Sequence, residues 1–218
     1  MRLRRLCSRS RLAVAALTLL AVLALPVVRH ALEASMARHM LVQFPLLMLA
    51  GALMAGALSA RARRVVAEWN AYGISGLVAV ALALALLMIP RLLDLALVDG
   101  YVELAKCAAL VLAGAALRLS WRPAGLLVQG FFLGNVLPMT AVIGQLYVDS
   151  PARVCNAYLL DDQIRLGQML VWLTAIVAVG WLVLVVRALI RRETAAAPAV
   201  AAARSQDKRS TPAENTLV

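Results

Sequence analysis

Imidazole and thioether side chains lie close together in one short stretch of the sequence. His39 and Met40 follow Met36 by three and four residues, so a helix that begins at Met36 would carry both methionines on one face with the histidine beside them. These ligand types suit copper, and thioethers suit Cu(I) in particular. The alternative interpretation is that the methionines fill gaps in a packed core and the histidine lies at a polar boundary.

A second group of reactive side chains lies further along the chain. Met88 lies two residues before Pro90. Cys107 directly follows Lys106, and Lys106 follows Glu103 by three residues. This i, i+3 spacing predicts that Glu103 and Lys106 neutralise each other on one helix face, with the lysine reaching towards a membrane surface. The predicted cofactor is copper, and the candidate ligands are Met36, His39, Met40, Met88 and Cys107.

The chain that must position these residues is too apolar for a water-soluble domain. It has 218 residues, of which 63% are hydrophobic and 15% charged, and its mean hydropathy is +0.86. A typical globular domain has about half apolar and about a quarter charged residues. Three scattered cysteines indicate neither a disulfide framework nor a zinc site, and the sequence contains no catalytic motif. The composition therefore predicts an all-α integral membrane protein, and the missing motifs predict that it is not an enzyme.

Apolar stretches long enough to cross a hydrocarbon core of about 30 Å recur along the sequence. The six predicted transmembrane helices are residues 12–28, 39–60, 72–89, 101–119, 123–147 and 164–190. They make up a transmembrane domain over residues 12–190, after a basic segment at 1–11 and before a tail at 191–218 whose composition predicts disorder. Because segment 1–11 is basic, a cleaved signal peptide is the alternative interpretation of the first helix.

The net charge of +11 indicates orientation in a membrane rather than nucleic-acid binding. With six spans, sixteen Lys and Arg residues fall on the side of the two termini and five on the opposite side. Cytoplasmic segments of membrane proteins carry the excess of Lys and Arg, so both termini are predicted to be cytoplasmic. The histidines therefore belong to the outer face, and the expected partner is the lipid bilayer, with no nucleic acid.

Three local patterns occur in an order that resembles the CtaG family of multispanning cytochrome c oxidase assembly factors. Residues 39–51 read HMLVQFPLLMLAG, residues 88–94 read MIPRLLD, and residues 161–172 read DDQIRLGQMLVW. In that family a His-Met is followed by a second histidine and a Pro-Leu-Leu stretch. A His-x-Pro segment that precedes an acid comes next, and an element with Asp-Gln, Gly and Met-Trp begins the final helix.

The chain departs from the family pattern at its histidines. His39 matches, whereas Gln43 and Met88 stand at two further histidine positions, and another histidine would fall near Lys106 or Cys107. The resemblance implies an accessory factor of the cell inner membrane that assists oxidase assembly and holds or delivers copper, with oxidase subunits or a copper chaperone as partners. A small-solute permease or transporter subunit, and a structural membrane subunit without metal, are the alternatives.

Overall fold

The computed structural model describes residues 2–155 and 157–210, and within them the side chains of residues 9–155 and 157–194. Every regular element in these ranges is helical, which confirms the predicted all-α class. The elements are α1 (Arg2–Ala24), α2 (Pro26–Glu33), α3 (Met36–Arg38), a π-helical turn (His39–Gln43), α4 (Phe44–Ala57), α5 (Ala60–Trp69), α6 (Ile74–Leu87), α7 (Pro90–Val98), α8 (Gly100–Asp149) and α9 (Leu160–Ser210).

Proline, glycine and serine residues set several of the helix boundaries. Pro26 and Pro90 occupy the first positions of α2 and α7, where the missing N–H removes no helical hydrogen bond. Gly73 has a φ of 68° directly before α6, a left-handed conformation that a residue without a Cβ adopts readily. At the start of α5, Ser59 Oγ accepts a hydrogen bond from Ala62 N at 3.1 Å. Of these breaks, the one at Pro26 lies inside a predicted span, residues 12–28, and the others lie at or just beyond the ends of predicted spans.

The described helices include several that could cross a membrane. Those that are long and apolar enough on their own are Met36–Ala57, Gly100–Asp149 and Leu160–Thr194. Two bent pairs raise the count to five if each is one span: Arg9–Ala24 with Pro26–Glu33, bent by 72°, and Ala60–Trp69 with Ile74–Leu87, bent by 82°. The structure therefore supports a membrane protein with three to five candidate spans, and the count of six and the orientation of the termini stay predictions.

The difference between five and six lies in α8, which contains two of the predicted spans. As a straight helix, its 50 residues would extend about 75 Å, more than twice the hydrocarbon thickness. The helix is interrupted at Gly125, whose φ of 63° and ψ of 178° are not helical. Near this kink Gln129 Nε2 donates to Trp121 O at 2.6 Å, a contact between residues eight apart that a straight helix does not make.

The backbones of α4 and α8 touch each other. A Cβ on Gly51 would overlap Val111 O, and a Cβ on Gly114 would overlap Met48 O. Small residues at such crossings let membrane helices approach closely. These two glycines therefore fix the distance between α4 and α8, and α8 carries Glu103 and Lys106 of the candidate site.

A large buried apolar cluster, called the main cluster below, joins these helices to their neighbours. Its buried members are Leu23, Met36, Met40, Phe44, Leu47, Leu87, Leu93, Leu110, Tyr147, Cys155, Tyr158, Leu166 and Leu170. On the outside, large apolar side chains such as Leu127 and Trp172 are 87% and 71% exposed. Apolar side chains on the outside of long helices are expected where the surrounding solvent is lipid.

The chain divides into two units, Met1–Thr174 and Ala175–Val218. The candidate site described below lies within the first unit. In the second unit α9 is helical as far as Ser210, and residues 211–218 lie outside the described part of the chain. The predicted disorder of residues 191–218 and the predicted role of segment 1–11 stay predictions.

Candidate functional site

A π-helical turn begins at His39 and sets the direction of its side chain. Phe44 N–H donates to His39 O, five residues back, and the two rings meet edge to face with centroids 5.5 Å apart. Such turns occur frequently at functional sites, where they interrupt the regular helix. His39 is 1% exposed. At the other end of the turn, Gln43 Oε1 is buried without a hydrogen-bond partner among the described residues.

Both ring nitrogens of His39 are engaged by other side chains. Lys106 Nζ lies 2.9 Å from Nε2, and Tyr158 Oη lies 2.7 Å from Nδ1. An ammonium group has only donors, so Nε2 accepts from Lys106 and the ring proton lies on Nδ1, which donates to Tyr158 Oη. The histidine is thus held as a neutral imidazole between a cation and a phenol.

Lys106 connects this histidine to an acid. Its Nζ lies 2.6 Å from Glu103 Oε2, as an ion pair without hydrogen-bond alignment. The same Nζ lies 5.9 Å from the centroid of the Phe44 ring, within the range of cation–π attraction. The predicted neutralisation of Glu103 by Lys106 is confirmed. The prediction that the lysine reaches a membrane surface is wrong, because Lys106 is only 3% exposed and turns inward to His39.

A second ion pair adjoins the first. Arg29 Nε donates to Glu33 Oε1 at 2.8 Å and lies 3.9 Å from Glu103 Oε1. Two cations thus face two carboxylates, so the group carries its own counter-charges, as buried ions must. This group of side chains, called the polar centre below, comprises Arg29, Glu33, His39, Glu103, Lys106 and Tyr158.

The loop between α8 and α9 contributes two side chains, Tyr158 and Cys155, that burial keeps protonated. Burial raises the pKa of Tyr158 above its usual value, and nearby carboxylates, Glu33 first, add to the increase. Burial, followed by the charge of Asp94, raises the pKa of the Cys155 thiol to about 12. Because thiolates rather than thiols bind metals, Cys155 is a poor ligand in this state.

The structure brings together some of the predicted metal ligands and leaves one apart. Met36 and Met40 are buried in the main cluster, and the half-buried Cys107 packs against it. Cys107 Sγ also donates to Glu103 Oε1 at 3.4 Å, which ties it to the polar centre. Met88 is half-buried at the end of α6 and is not among the residues that pack in this cluster.

The residues present do not fit copper at the histidine. A metal ligand must offer a free lone pair, whereas both nitrogens of His39 are engaged and the Lys106 ammonium at Nε2 would repel a cation. Within the described ranges, no group of three or more His, Cys, Asp or Glu side chains is placed to hold a metal ion. Copper on the sulfur side chains of Met36, Met40 and Cys107 stays a prediction.

The three segments that resemble the CtaG family meet in the main cluster, although they lie far apart in the sequence. Phe44 and Leu47 come from segment 39–51, Leu93 from segment 88–94, and Leu166 and Leu170 from segment 161–172. All five are buried. The three segments, which are far apart along the chain, thus contribute to the same buried cluster.

Hydrogen bonds of the same segments hold the loop before α9. Gln163 is buried, donates to Tyr147 O at 3.2 Å and accepts from Val154 N at 2.8 Å. Asp94 Oδ1 accepts from Ala157 N at 3.3 Å. The family pattern pointed to Gln163 and Asp94, whereas Tyr158, which holds His39, was not predicted because it belongs to no motif.

Fold and site together define a class: an all-helical protein with three to five helices able to span a membrane and a buried polar centre between them. Ionisable side chains within such helices are costly and usually mark a functional site. No protein-family profile, curated protein or solved structure matches the chain. Its function therefore has to be argued from the site.

Proposed function

We propose that the chain is a non-enzymatic accessory factor of the cell inner membrane that assists the assembly of cytochrome c oxidase. One observation carries the proposal: the three segments that resemble the CtaG family pack into a single buried cluster next to the polar centre. A common site formed by these segments would require them to meet in this way. The expected partners are oxidase subunits.

In this proposal the polar centre holds a tethered cation where a metal ion would have to lie. Lys106 Nζ is 2.9 Å from His39 Nε2 and 2.6 Å from Glu103 Oε2, and imidazole and carboxylate are common metal ligands. The ammonium donates to His39 Nε2 and forms an ion pair with Glu103 without an exchangeable ion. The polar centre therefore acts as a fixed structural core of the factor, which positions α2, α8 and the loop before α9.

Copper handling is a second candidate function, and the placement of the sulfur side chains favours it. Met36 and Met40 belong to the main cluster, and Cys107 packs against it. Thioether and thiolate ligands suit Cu(I), and the Cys107 thiol would have to lose the proton that it donates to Glu103 Oε1. In this candidate the factor would hold copper through these three residues and pass it to an oxidase subunit or receive it from a copper chaperone.

Deletion of the gene in the source organism tests the accessory role. We expect cytochrome c oxidase activity and the a-type haem absorbance of the membranes to fall, while succinate dehydrogenase activity stays unchanged. The wild-type gene and a Glu68→Gln variant, altered at an exposed acid of α5, should restore the oxidase. A Glu103→Gln variant should not. Normal oxidase activity in the deletion strain would contradict the proposal.

Copper binding is tested on purified protein under reducing conditions by competition with a Cu(I)-specific chromophore. The informative variant is Met36→Leu/Met40→Leu, because leucine preserves side-chain volume and removes both thioethers. The matched control is Met54→Leu/Met169→Leu, at methionines that are 41% and 49% exposed. Copper bound by wild type and control but lost from the first variant would support this candidate. Equal binding by all three, or none by wild type, would rule it out.

A further inference from the structure

A long groove runs between α4 and α8, away from the polar centre. Its volume of about 920 Å³ lies within the range of about 300–1,000 Å³ that is typical of small-molecule sites. Apolar side chains, among them Met48, Leu49 and Leu117, form much of its wall. Leu49 is 48% exposed, so the groove opens onto the outside of the helix pair. A ligand with a long apolar part would match this wall.

Three arginines line the groove where α4 ends. Arg63 comes from α5, and Arg118 and Arg122 come from α8. All three are exposed, and among the residues whose side chains are described no carboxylate lies within ion-pair distance of any of them. A guanidinium binds two phosphate oxygens at once through its planar fork of N–H groups. This end of the groove is therefore complementary to a phosphate group.

Gly56 leaves room for the guanidinium group of Arg118 against the surface of α4. A Cβ on Gly56 would lie 2.8 Å from Arg118 Nη2, so a larger residue would displace the guanidinium from the surface of α4. Trp121 lines the same end, and its ring meets that of Phe132 edge to face with centroids 6.4 Å apart. Tryptophan is enriched in membrane proteins at the level of the lipid headgroups. The arginine end of the groove thus has the composition of a membrane boundary.

The adjoining helix α5 has the composition of a helix that lies on a membrane surface. It carries three arginines in ten residues, and it is bent by 82° from α6. Its apolar residues Val65 and Trp69 are 51% and 85% exposed. A helix with basic and apolar faces lies in the headgroup layer, with its apolar face towards the acyl chains. Arg63 would then lie at the depth of the lipid phosphates.

We propose that the groove binds an anionic phospholipid, with its phosphate group on Arg63, Arg118 and Arg122 and an acyl chain along the apolar wall between α4 and α8. The charge of the groove selects this occupant, because basic pockets between membrane helices bind anionic headgroups. A phosphatidylcholine headgroup carries an additional cation, which the three arginines would repel. The lipid site depends neither on the assembly role nor on copper.

Lipid titration of the purified full-length protein in mild detergent tests the site, with bound lipid counted by native mass spectrometry. The ligands are phosphatidylglycerol and phosphatidylcholine with identical acyl chains. We expect phosphatidylglycerol to bind about tenfold more tightly. Inorganic phosphate at the same concentration should not displace it. Equal binding of the two lipids, or displacement by phosphate alone, would overturn the proposal.

Charge-matched variants locate the binding. Arg118→Gln/Arg122→Gln should weaken phosphatidylglycerol binding by about tenfold or more. Arg61→Gln/Arg64→Gln removes the same charge from exposed positions of α5 that do not line the groove, and it should leave binding unchanged. Equal weakening by both pairs would show that the lipid is attracted to the basic surface in general. That result would overturn the proposed binding in the groove. Leu49→Trp narrows the apolar wall without altering an arginine, and unchanged binding in this variant would equally contradict the proposal.

Discussion

Two groups of charged side chains, the polar centre and the arginine groove, share helix α8 and are neutralised in different ways. In the polar centre, Lys106 meets Glu103 at 2.6 Å and Arg29 meets Glu33 at 2.8 Å. At the arginine groove, by contrast, the guanidiniums have no carboxylate within ion-pair distance among the described residues. A charge enclosed by helices needs a counter-charge from the protein, whereas a charge at the membrane boundary can be neutralised by lipid or water.

The two groups are also held at a fixed separation. His39 meets Lys106 near one end of the helix pair, and Gly56 meets Arg118 near the other, so α4 and α8 run in the same direction. Twelve residues of helix place Lys106 and Arg118 about 18 Å apart along α8. The comparison therefore predicts different responses to mutation: large losses of stability at the polar centre and small ones at the groove.

The largest effect is expected from Glu103→Gln. This substitution leaves the Lys106 ammonium buried without its counter-charge, and breaking a buried ion pair in this way costs about 3–5 kcal/mol. Glu103→Gln/Lys106→Met removes both charges and should cost clearly less. The measurement is the unfolding free energy of the full chain in detergent micelles, from denaturant titration followed by tryptophan fluorescence.

The double variant provides the control for that experiment. If Glu103→Gln costs no more than Glu103→Gln/Lys106→Met, the ammonium does not depend on Glu103. The claim that the polar centre supplies its own counter-charges would then be wrong.

The next effect concerns the backbone contact between α4 and α8. Gly114→Ala places a Cβ against Met48 O, and overpacking of this kind costs about 1–3 kcal/mol. Gly134→Ala is the matched control in the same helix, because no atom lies within 4 Å of its added Cβ. It should be neutral or stabilise the protein by up to about 1 kcal/mol. Equal unfolding free energies for the two variants would show that α4 and α8 do not touch at Gly114.

Tyr158→Phe is expected to have a smaller effect, which depends on pH. It leaves His39 Nδ1 without its acceptor, at a cost of about 1–2 kcal/mol near pH 7. The pKa of Tyr158 is raised in the folded protein, so its contribution to stability is complete below the unfolded value of about 10 and is lost as the pH rises above it. Wild type should therefore lose more stability than Tyr158→Phe between about pH 9 and pH 11.

Tyr101→Phe serves as the control for the pH experiment, since Tyr101 is 87% exposed. Its unfolding free energy should follow the pH dependence of wild type. Parallel curves for wild type and Tyr158→Phe would contradict the buried, protonated state of Tyr158.

Much of the fold was predictable, because helices that face lipid are marked by long apolar stretches in the sequence. Hydropathy gave the helical class and the approximate position of each long helix. It did not give the bend at Pro26, which starts α2 at 72° to α1, whereas the break predicted between residues 119 and 123 lies close to the kink at Gly125. The sequence predicts six spans where the structure supports three to five candidates, because α8 joins two predicted spans and two others correspond to bent helix pairs.

The candidate site was predictable only where its contacts are local. The i, i+3 spacing gave the ion pair of Glu103 and Lys106, because residues one helical turn apart meet on the same face. His39 pairs with Lys106 across 67 residues and with Tyr158 across 119. Contacts of that range leave no periodic signal in a single sequence. The copper prediction considered His39 by its type alone and could not foresee that both of its nitrogens are engaged.

The smallest effect on stability is expected at the arginine groove. In lipid-free detergent, Arg118→Gln/Arg122→Gln should change the unfolding free energy by no more than about 0.5 kcal/mol, because both side chains are exposed and lose no carboxylate partner among the described residues. The same denaturant titration measures it beside Glu103→Gln. A loss as large as that of Glu103→Gln would mean that these arginines are neutralised within the protein, and the two groups would then not differ. A negligible loss would leave their charge available to an anionic lipid.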